Sequence, residues 1–339
     1  MEIVSFEDIG REAWDAFCLE SPEAWFRHTS TFIDFALTLE KGSTNHSFAV
    51  REGGRTLAVV PLTMQTARDD KKREFGMGGT PIPFPALLSD CLERERGEIL
   101  GRALRELDSR ARSLGVERAR MFIDPLTVPV LSGALTENPL LAYGFADASM
   151  TTSMVALNRS EEEIRRSMRK GHHSDISHAE NVKRYPVDIF DSATLSDEAF
   201  STLEKMYHEV AGEKAGSGER WRATRGLIER GNAILVLARP AEGRPYCAGN
   251  MAILYKRRGY YLLSATLAEG KSARGIGQFI QWRTMQYLKS RAYTHYELGW
   301  VIPKHSNSTH SEKELAISSF KSHFSNEKLP LFWGEKMYA

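Results

Sequence analysis

Between positions 268 and 278 the chain reads AEGKSARGIGQ, three glycines and two basic side chains directly ahead of a helix-forming run. Glycine lets backbone N–H groups approach a phosphate oxygen with no Cβ in the way. The first turn of a helix adds unpaired N–H groups and the positive end of its dipole. Arg274, Gly275 and Gly277 are therefore candidates for holding a coenzyme pyrophosphate, with a plain structural turn as the alternative, because a short glycine motif alone is weak evidence. Glu297 lies in Tyr-Glu-Leu-Gly, where strand alternation sets Tyr296 and Leu298 on one face and Glu297 and Gly299 on the other. A carboxylate beside a substrate crevice can take the proton of an attacking ammonium; paired with a basic neighbour it is only structural. Arg165, Arg166, Arg169 and Lys170 put four cations within six residues, suited to a phosphate or to a solvated helix end. His172, His173 and His178 lack the Asp, Glu or Cys spacing of a metal site, so no metal is expected. There is no Gly-x-Ser-x-Gly elbow and no P-loop.

Holding these residues requires a particular set of elements. Segments 232–239, 246–255 and 259–267 are rich in β-branched, aromatic and aliphatic residues and read as three strands. Their connections, PAEGRP and KRRG, carry the Pro and Gly of tight antiparallel turns. A helix over 275–291 and a strand over 293–300 follow. Antiparallel strands, a glycine loop opening a helix, then another strand is a coenzyme-binding order. Upstream, Ser160 and Glu163 form a capping-box pattern that opens the helix SEEEIRRSMRKG, acidic at its start and basic at its end as the dipole prefers. A short strand over 154–157 precedes it. Further helices are expected over 197–210 and 219–230, and a short helix and a strand close the chain.

In the first half, residues 1–40 read as helical, with Ile9, Ala13, Ala16 and Phe17 at helical spacing. A hairpin joins 47–50 to 57–65 across Glu52-Gly53-Gly54. Segment 75–88 is dominated by Gly and Pro and reads as an irregular loop. Leu100, Ala103, Leu104, Leu107, Ala111 and Leu114 form one stripe of a helix over 93–114, ended by Gly115. A strand over 117–124 and a Pro- and Gly-punctuated linker over 125–150 follow. Both halves thus run helix, short turn, strand, Pro, which reads as a diverged duplication or as two unrelated α/β units. The polar segment VIPKHSNSTHSEKE, 301–314, reads as mobile.

With 339 residues the chain is long enough for two domains. Its 45 basic and 44 acidic side chains leave a net charge of +1, so no global bias toward nucleic acid or an anionic membrane exists. No apolar run approaches the roughly 20 residues of a membrane span, and the acidic start lacks a signal peptide's pattern. Three widely spaced cysteines, Cys18, Cys91 and Cys247, argue against a disulfide framework and suit a reducing cytoplasm; Cys91 and Cys247 read as ordinary core or loop residues.

In order, LNRSEEEIRRSMRKGHHSDISHAEN, YYLLSAT, YELG and ISSFKSHF resemble the FemAB-type aminoacyltransferases and their relatives over most of residues 20–339. The resemblance implies an α/β fold of mixed sheets with flanking helices, built as two tandem GNAT-like domains with a cleft between them. On that basis 1–147 is expected as the first domain and 148–318 as the second, with 319–339 packing back on the first. It implies acyl or aminoacyl transfer to an amine on a small molecule or cell-envelope precursor. The co-substrate would be aminoacyl-tRNA or acyl-CoA, with no tightly bound cofactor. The family's Phe-Lys pair matches Phe320 and Lys321, which implies that Lys321 stabilises the oxyanion and Phe320 contacts substrate; the other reading of Lys321 is a solvated helix lysine. The family's inner-strand tyrosine matches Tyr261. Three positions depart from the pattern. A second aromatic falls at Leu263, the early precursor-binding lysine falls at Leu37, and the basic run after the capped helix continues into Gly171-His172-His173. Leu37 argues against the same nucleotide-linked peptidoglycan acceptor. Arg274-Gly275-Ile276-Gly277 resembles the pyrophosphate loop of GNAT acetyltransferases, with Ser272 at its first basic position. A binding module that kept this fold without chemistry is the reading from another class.

Overall fold

A computed structural model describes residues 1–67, 70–89, 93–212, 216–302 and 310–338. The chain forms two compact units, Met1–Met150 with Pro330–Ala339, and Thr151–Leu329. Segment 319–339 is therefore divided between them. Cys91 and residues 303–309 of the polar segment lie outside the described residues.

The first unit opens with a strand, Glu2–Ser5, where the sequence pattern suggested helix. Ile3 and Val4 are β-branched and pair with Val50 and Ala49, a partner too distant in sequence for helical spacing to reveal. The helical spacing belongs to Phe6–Ile9 and Arg11–Glu20. Glu2–Ser5, Phe48–Glu52, Arg55–Val60 and Ala86–Leu87 form one sheet in that order. Its core includes Phe6, Trp14, Phe17, Ile33, Ala49 and Val59. A second sheet runs Ala146–Asp147, Trp333–Met337, Arg118–Phe122, Arg73–Phe75, Thr63–Thr66, Thr44–Asn45. The expected loop over 75–88 instead supplies Ile82–Pro83, parallel to Arg118–Phe122, and Ala86–Leu87. Gly and Pro hid these strands because each is only two residues long and is held by its neighbours rather than by its own propensity. The expected linker over 125–150 likewise folds, into Val128–Leu131, a 3₁₀ turn Pro139–Tyr143 and Ala146–Asp147. Helix Glu93–Leu114 forms where its apolar stripe predicts.

The second unit is built on a seven-stranded sheet ordered Val187–Phe190, Ala233–Ala238, Ala248–Tyr255, Arg258–Thr266, His295–Val301, Met150–Ala156, Lys328–Leu331. The three central apolar strands pair antiparallel, as their turns require. Arg258–Thr266 and His295–Val301 run parallel, joined through the crossover helix Ile276–Ser290. That helix buries Ile276, Phe279, Ile280, Trp282, Met285 and Leu288 on the sheet. The expected helix SEEEIRRSMRKG is broken: Glu161–Ser167 ends at Met168, whose backbone is extended, and a separate helix, Lys170–Ser177, follows. Two elements stand where the sequence pattern marks none: a π-helical turn His178–Lys183 and a short helix Ala268–Ser272 within the expected glycine loop. Ser160 and Glu163 cap Glu161–Ser167 reciprocally, as their spacing predicts.

Candidate functional site in the second unit

Two irregularities open the sheet. Met251 pairs with Leu263 and Ala252 with Tyr261, so Leu262 is a bulge in Arg258–Thr266. On His295–Val301, Met154 pairs with Glu297 and Ser153 with Gly299, which bulges Leu298. The parallel ladder between these two strands runs only from Arg258 opposite His295 to Tyr260 opposite Glu297. Beyond it one strand continues through Tyr261 and the other through Gly299.

Lys321 occupies this part of the sheet. It lies in the last turn of the helix Glu312–Ser322, which Ser311 and Glu314 cap, yet it is only 9 % exposed. The alternative of a solvated lysine is therefore overturned: Phe320 and Phe324 pack edge to face at 5.1 Å, and Lys321 turns inward beside them. Its Nζ lies 5.0 Å from the centre of the Tyr261 ring. A Cβ on Gly299 would stand 2.8 Å from the same atom, and Gly299 has φ +92°, a conformation glycine alone adopts without strain. The lysine backbone is held as well, Ser153 Oγ donating to its carbonyl at 3.2 Å. Burial lowers the Lys321 pKa from its ordinary value, and the nearby Glu297 carboxylate works in the opposite direction. Glu297 accepts a hydrogen bond from Thr152 Oγ1. Strand alternation holds here: Tyr296 and Leu298 are buried in the core, and Glu297 and Gly299 face the lysine's side. Tyr261 Oη and Ser264 Oγ share a hydrogen bond at 2.7 Å, and burial raises the phenol's pKa.

Ser264 also lines a cavity of about 450 Å³ at the start of the crossover helix, together with Lys271, Arg274, Gly275, Gly277, Gln281 and Phe320. The structure thus brings the glycine loop and the Phe-Lys pair to one region. Gly275 caps the helix with φ +80°, and a Cβ there would meet the Asp175 carbonyl at 2.4 Å. Gly277 is open, with only Phe320 Cε2 at 4.0 Å from where a Cβ would stand. Arg274 does not simply point into the cavity: its Nε donates to Asp175 Oδ1 at 3.0 Å and its Nη2 to Ser174 Oγ at 3.2 Å.

The basic helix end is less uniform than its sequence. Arg165 donates to Glu180 and lies over the Trp282 ring at 4.5 Å. Arg166 pairs with Glu162 one turn back. Arg169 Nη1 lies 2.6 Å from His323 Nε2, so this segment meets the turn that follows Lys321. Sequence reasoning missed two supporting groups. His172 Nε2 donates to the Phe320 carbonyl at 3.0 Å, and burial pulls its pKa down to about 4, which keeps it neutral. Asn250, Gln281, Thr284 and Tyr296 form a buried network in which Gln281 donates to Asn250 Oδ1 at 3.0 Å and accepts from Tyr296 Oη at 2.9 Å. Gln281 falls six residues past Gly275, so a polar side chain on the apolar face was its only sequence signal. Cys247 is a buried free thiol, pushed up to about 11 by burial. Among the described residues no group of three or more His, Cys, Asp or Glu side chains could hold a metal ion, and no helix is long and apolar enough to cross a membrane.

No protein-family model and no curated protein matches the chain. Solved structures do match. FemX superposes with a TM-score of 0.70 at 14% identity, over 100% of this chain and 98% of that one. L-PGS from Bacillus licheniformis gives 0.57 at 14% identity, over 96% and 91% of the two chains. A tandem GNAT protein from the clavulanic acid biosynthesis pathway gives 0.52 at 12% identity, over 99% and 98%. The fold is mixed α/β, two tandem GNAT-like domains in one chain.

Proposed function

We propose that this protein is an acyltransferase that moves an aminoacyl group to an amine by direct attack, with aminoacyl-tRNA as the donor and a small molecule or cell-envelope precursor as the acceptor. The observation that carries this reading is the buried Lys321 ammonium, set between Tyr261 and the glycine cradle at Gly299 and adjoining the Phe320-lined cavity. A buried cation costs folding free energy, and a developing oxyanion is the charge that would repay it. In the reaction the amine nitrogen forms a bond to the acyl carbon. The ester C–O bond breaks, the tRNA hydroxyl leaves, and the nitrogen's surplus proton passes to a base. Lys321 would stabilise the oxyanion, Glu297 would take the proton, and Tyr261 would hold the ammonium in place. Arg166 and Arg169 would meet donor or acceptor phosphate. Arg165, committed to Glu180 and Trp282, would support them from behind. The resemblance of the ordered sequence motifs to FemAB-type enzymes favours the tRNA donor.

A second reading, acyl-CoA as donor, is favoured by one observation: the open Gly277 and the helix start at Gly275 line a cavity large enough for a pyrophosphate. Titrating each donor at about 50 and 200 mM salt separates the two, because a multi-phosphate contact loses orders of magnitude in affinity across that range. Salt-sensitive binding of aminoacyl-tRNA with no acetyl-CoA binding is the expected result. Tight, nearly salt-insensitive acetyl-CoA binding without tRNA binding would overturn the donor. Transfer is then followed as donor consumption with a panel of amines. Lys321→Ala should abolish it with the circular dichroism spectrum unchanged, and full activity in that variant would overturn the lysine's role.

A further inference from the structure

The cavity at the start of the crossover helix carries a carboxylate as well as its cations. Lys271 and Arg274 supply positive charge there, and among the described residues that line it Asp175 alone supplies negative charge. Asp175 lies on the helix Lys170–Ser177. Its Oδ1 accepts from Arg274 Nε at 3.0 Å and its Oδ2 accepts from Gln278 Nε2 at 3.4 Å, so one carboxylate spans the glycine loop and the first turn of Ile276–Ser290. Ser174 Oγ takes a second edge of the guanidinium, accepting from Nη2 at 3.2 Å. The carboxylate is also fixed in place. Ile176, next in sequence, is fully buried in the core of the unit, and the Asp175 carbonyl lies 2.4 Å from where a Cβ on Gly275 would stand. The missing side chain at Gly275 thus seats this helix against the loop. A helix start favours an anion, and here the chain provides that anion itself. A pyrophosphate entering the cavity would meet a like charge at close range and would have to draw Arg274 away from two partners. An aminoacyl ester carries an ammonium rather than an anion beside its reacting carbonyl, and Asp175 does not oppose it.

We propose that Asp175 is a specificity-determining residue: its carboxylate holds the place and the guanidinium that a pyrophosphate would need, and so keeps acyl-CoA and other pyrophosphate-linked donors out of the cavity. This rests on the reading that the donor is aminoacyl-tRNA. Inorganic pyrophosphate and acetyl-CoA are titrated calorimetrically into the full-length protein at about 50 mM salt, where screening is modest. Asp175→Asn keeps an oxygen that accepts from Arg274 but removes the charge, and Asp175→Ala is the second variant should the first not fold. Either should bind both probes at least about 10-fold tighter than wild type, in keeping with a charge-assisted contact. Asp197→Asn makes the same charge change at an exposed carboxylate outside the cavity and should leave both affinities unchanged. Adding Arg274→Gln to Asp175→Asn should cancel the gain. Tight acetyl-CoA binding by the wild-type protein, affinities in the Asp175 variants no higher than wild type, an equal gain in Asp197→Asn, or a gain that survives Arg274→Gln overturns the proposal. The donor reading fails on a different measurement, the absence of aminoacyl-tRNA binding by the wild-type protein, which the comparison of variants does not use.

Discussion

Replacing Gly299 by alanine tests whether the position of the Lys321 ammonium, rather than its mere presence, matters. Two costs follow from the structure. An alanine at φ +92° carries left-handed strain of about 1–2 kcal/mol. Its Cβ would also stand 2.8 Å from Lys321 Nζ. The lysine head is the flexible partner, so it must retreat by about 0.5–1 Å to regain ordinary contact distance. A displacement of that size at a reacting centre can cost about 10²-fold in rate. The strain should lower the unfolding midpoint by about 2–4 °C per kcal/mol, a loss that leaves the protein folded at assay temperature. The two effects separate in a double-mutant cycle of Gly299→Ala and Lys321→Met, read as rate of donor consumption and as thermal midpoint. If Gly299 acts through the lysine, the double variant loses no more rate than Lys321→Met alone, because the displaced group is already gone. Rate losses that multiply, or an unchanged rate in Gly299→Ala, would refute the reasoning.

Three further outcomes are expected. Gly277→Val should leave the fold intact, since only Phe320 Cε2 approaches at 4.0 Å, while reducing acyl-CoA binding sharply and tRNA binding much less if a pyrophosphate sits on those amides; donor titration reads it. Arg165→Met leaves the half-buried Glu180 without that partner and should cost about 1–3 kcal/mol of stability in denaturant unfolding. Lys321, with its pKa lowered by burial, binds fewer protons folded than unfolded between that lowered value and the ordinary 10.5. Its contribution to stability therefore rises with pH across this window and is lost as pH falls through the folded value, while the rate falls as the ammonium deprotonates; an alkaline limb of the rate profile at or above the ordinary lysine value would contradict this.

Much of the second unit was legible because its signals are local. The apolar strands, their Pro and Gly turns, the Ser160 capping box and the alternation at Tyr296–Gly299 all report on neighbours within a few residues. The short strands Ile82–Pro83 and Ala86–Leu87 were hidden because long-range pairing, not propensity, forms them. The depth of Lys321 was hidden for a related reason. Helical spacing from Phe320 and Phe324 places it on a neighbouring face, which in an isolated helix would be solvent, and only the bulged strands beside it make that face an interior. The bond of His172 to the Phe320 carbonyl crosses 148 positions and leaves no periodic trace in the sequence.

The site is where local rules and the fold disagree, and the disagreement has a direction. A lysine in the last turn of an exposed helix would cost nothing, and a leucine or methionine in an interior would cost less than a buried ammonium. This chain instead buries Lys321, gives up a side chain at Gly299 to admit it, interrupts pairing at Leu262 and Leu298 beside it, and fixes the turn that carries it through His172 and Ser153. Each departure weakens the sheet or its packing locally. Tyr261 offers the ammonium a ring face and Glu297 a nearby opposite charge, yet burial still lowers the lysine's pKa. A buried cation in a preorganised gap is what transition-state stabilisation asks of a protein, since the charge it is to balance arrives only as the reaction proceeds. The same residues in a binding module without chemistry would lack that late-arriving charge. Lys321→Met would then be expected to stabilise the fold without functional cost.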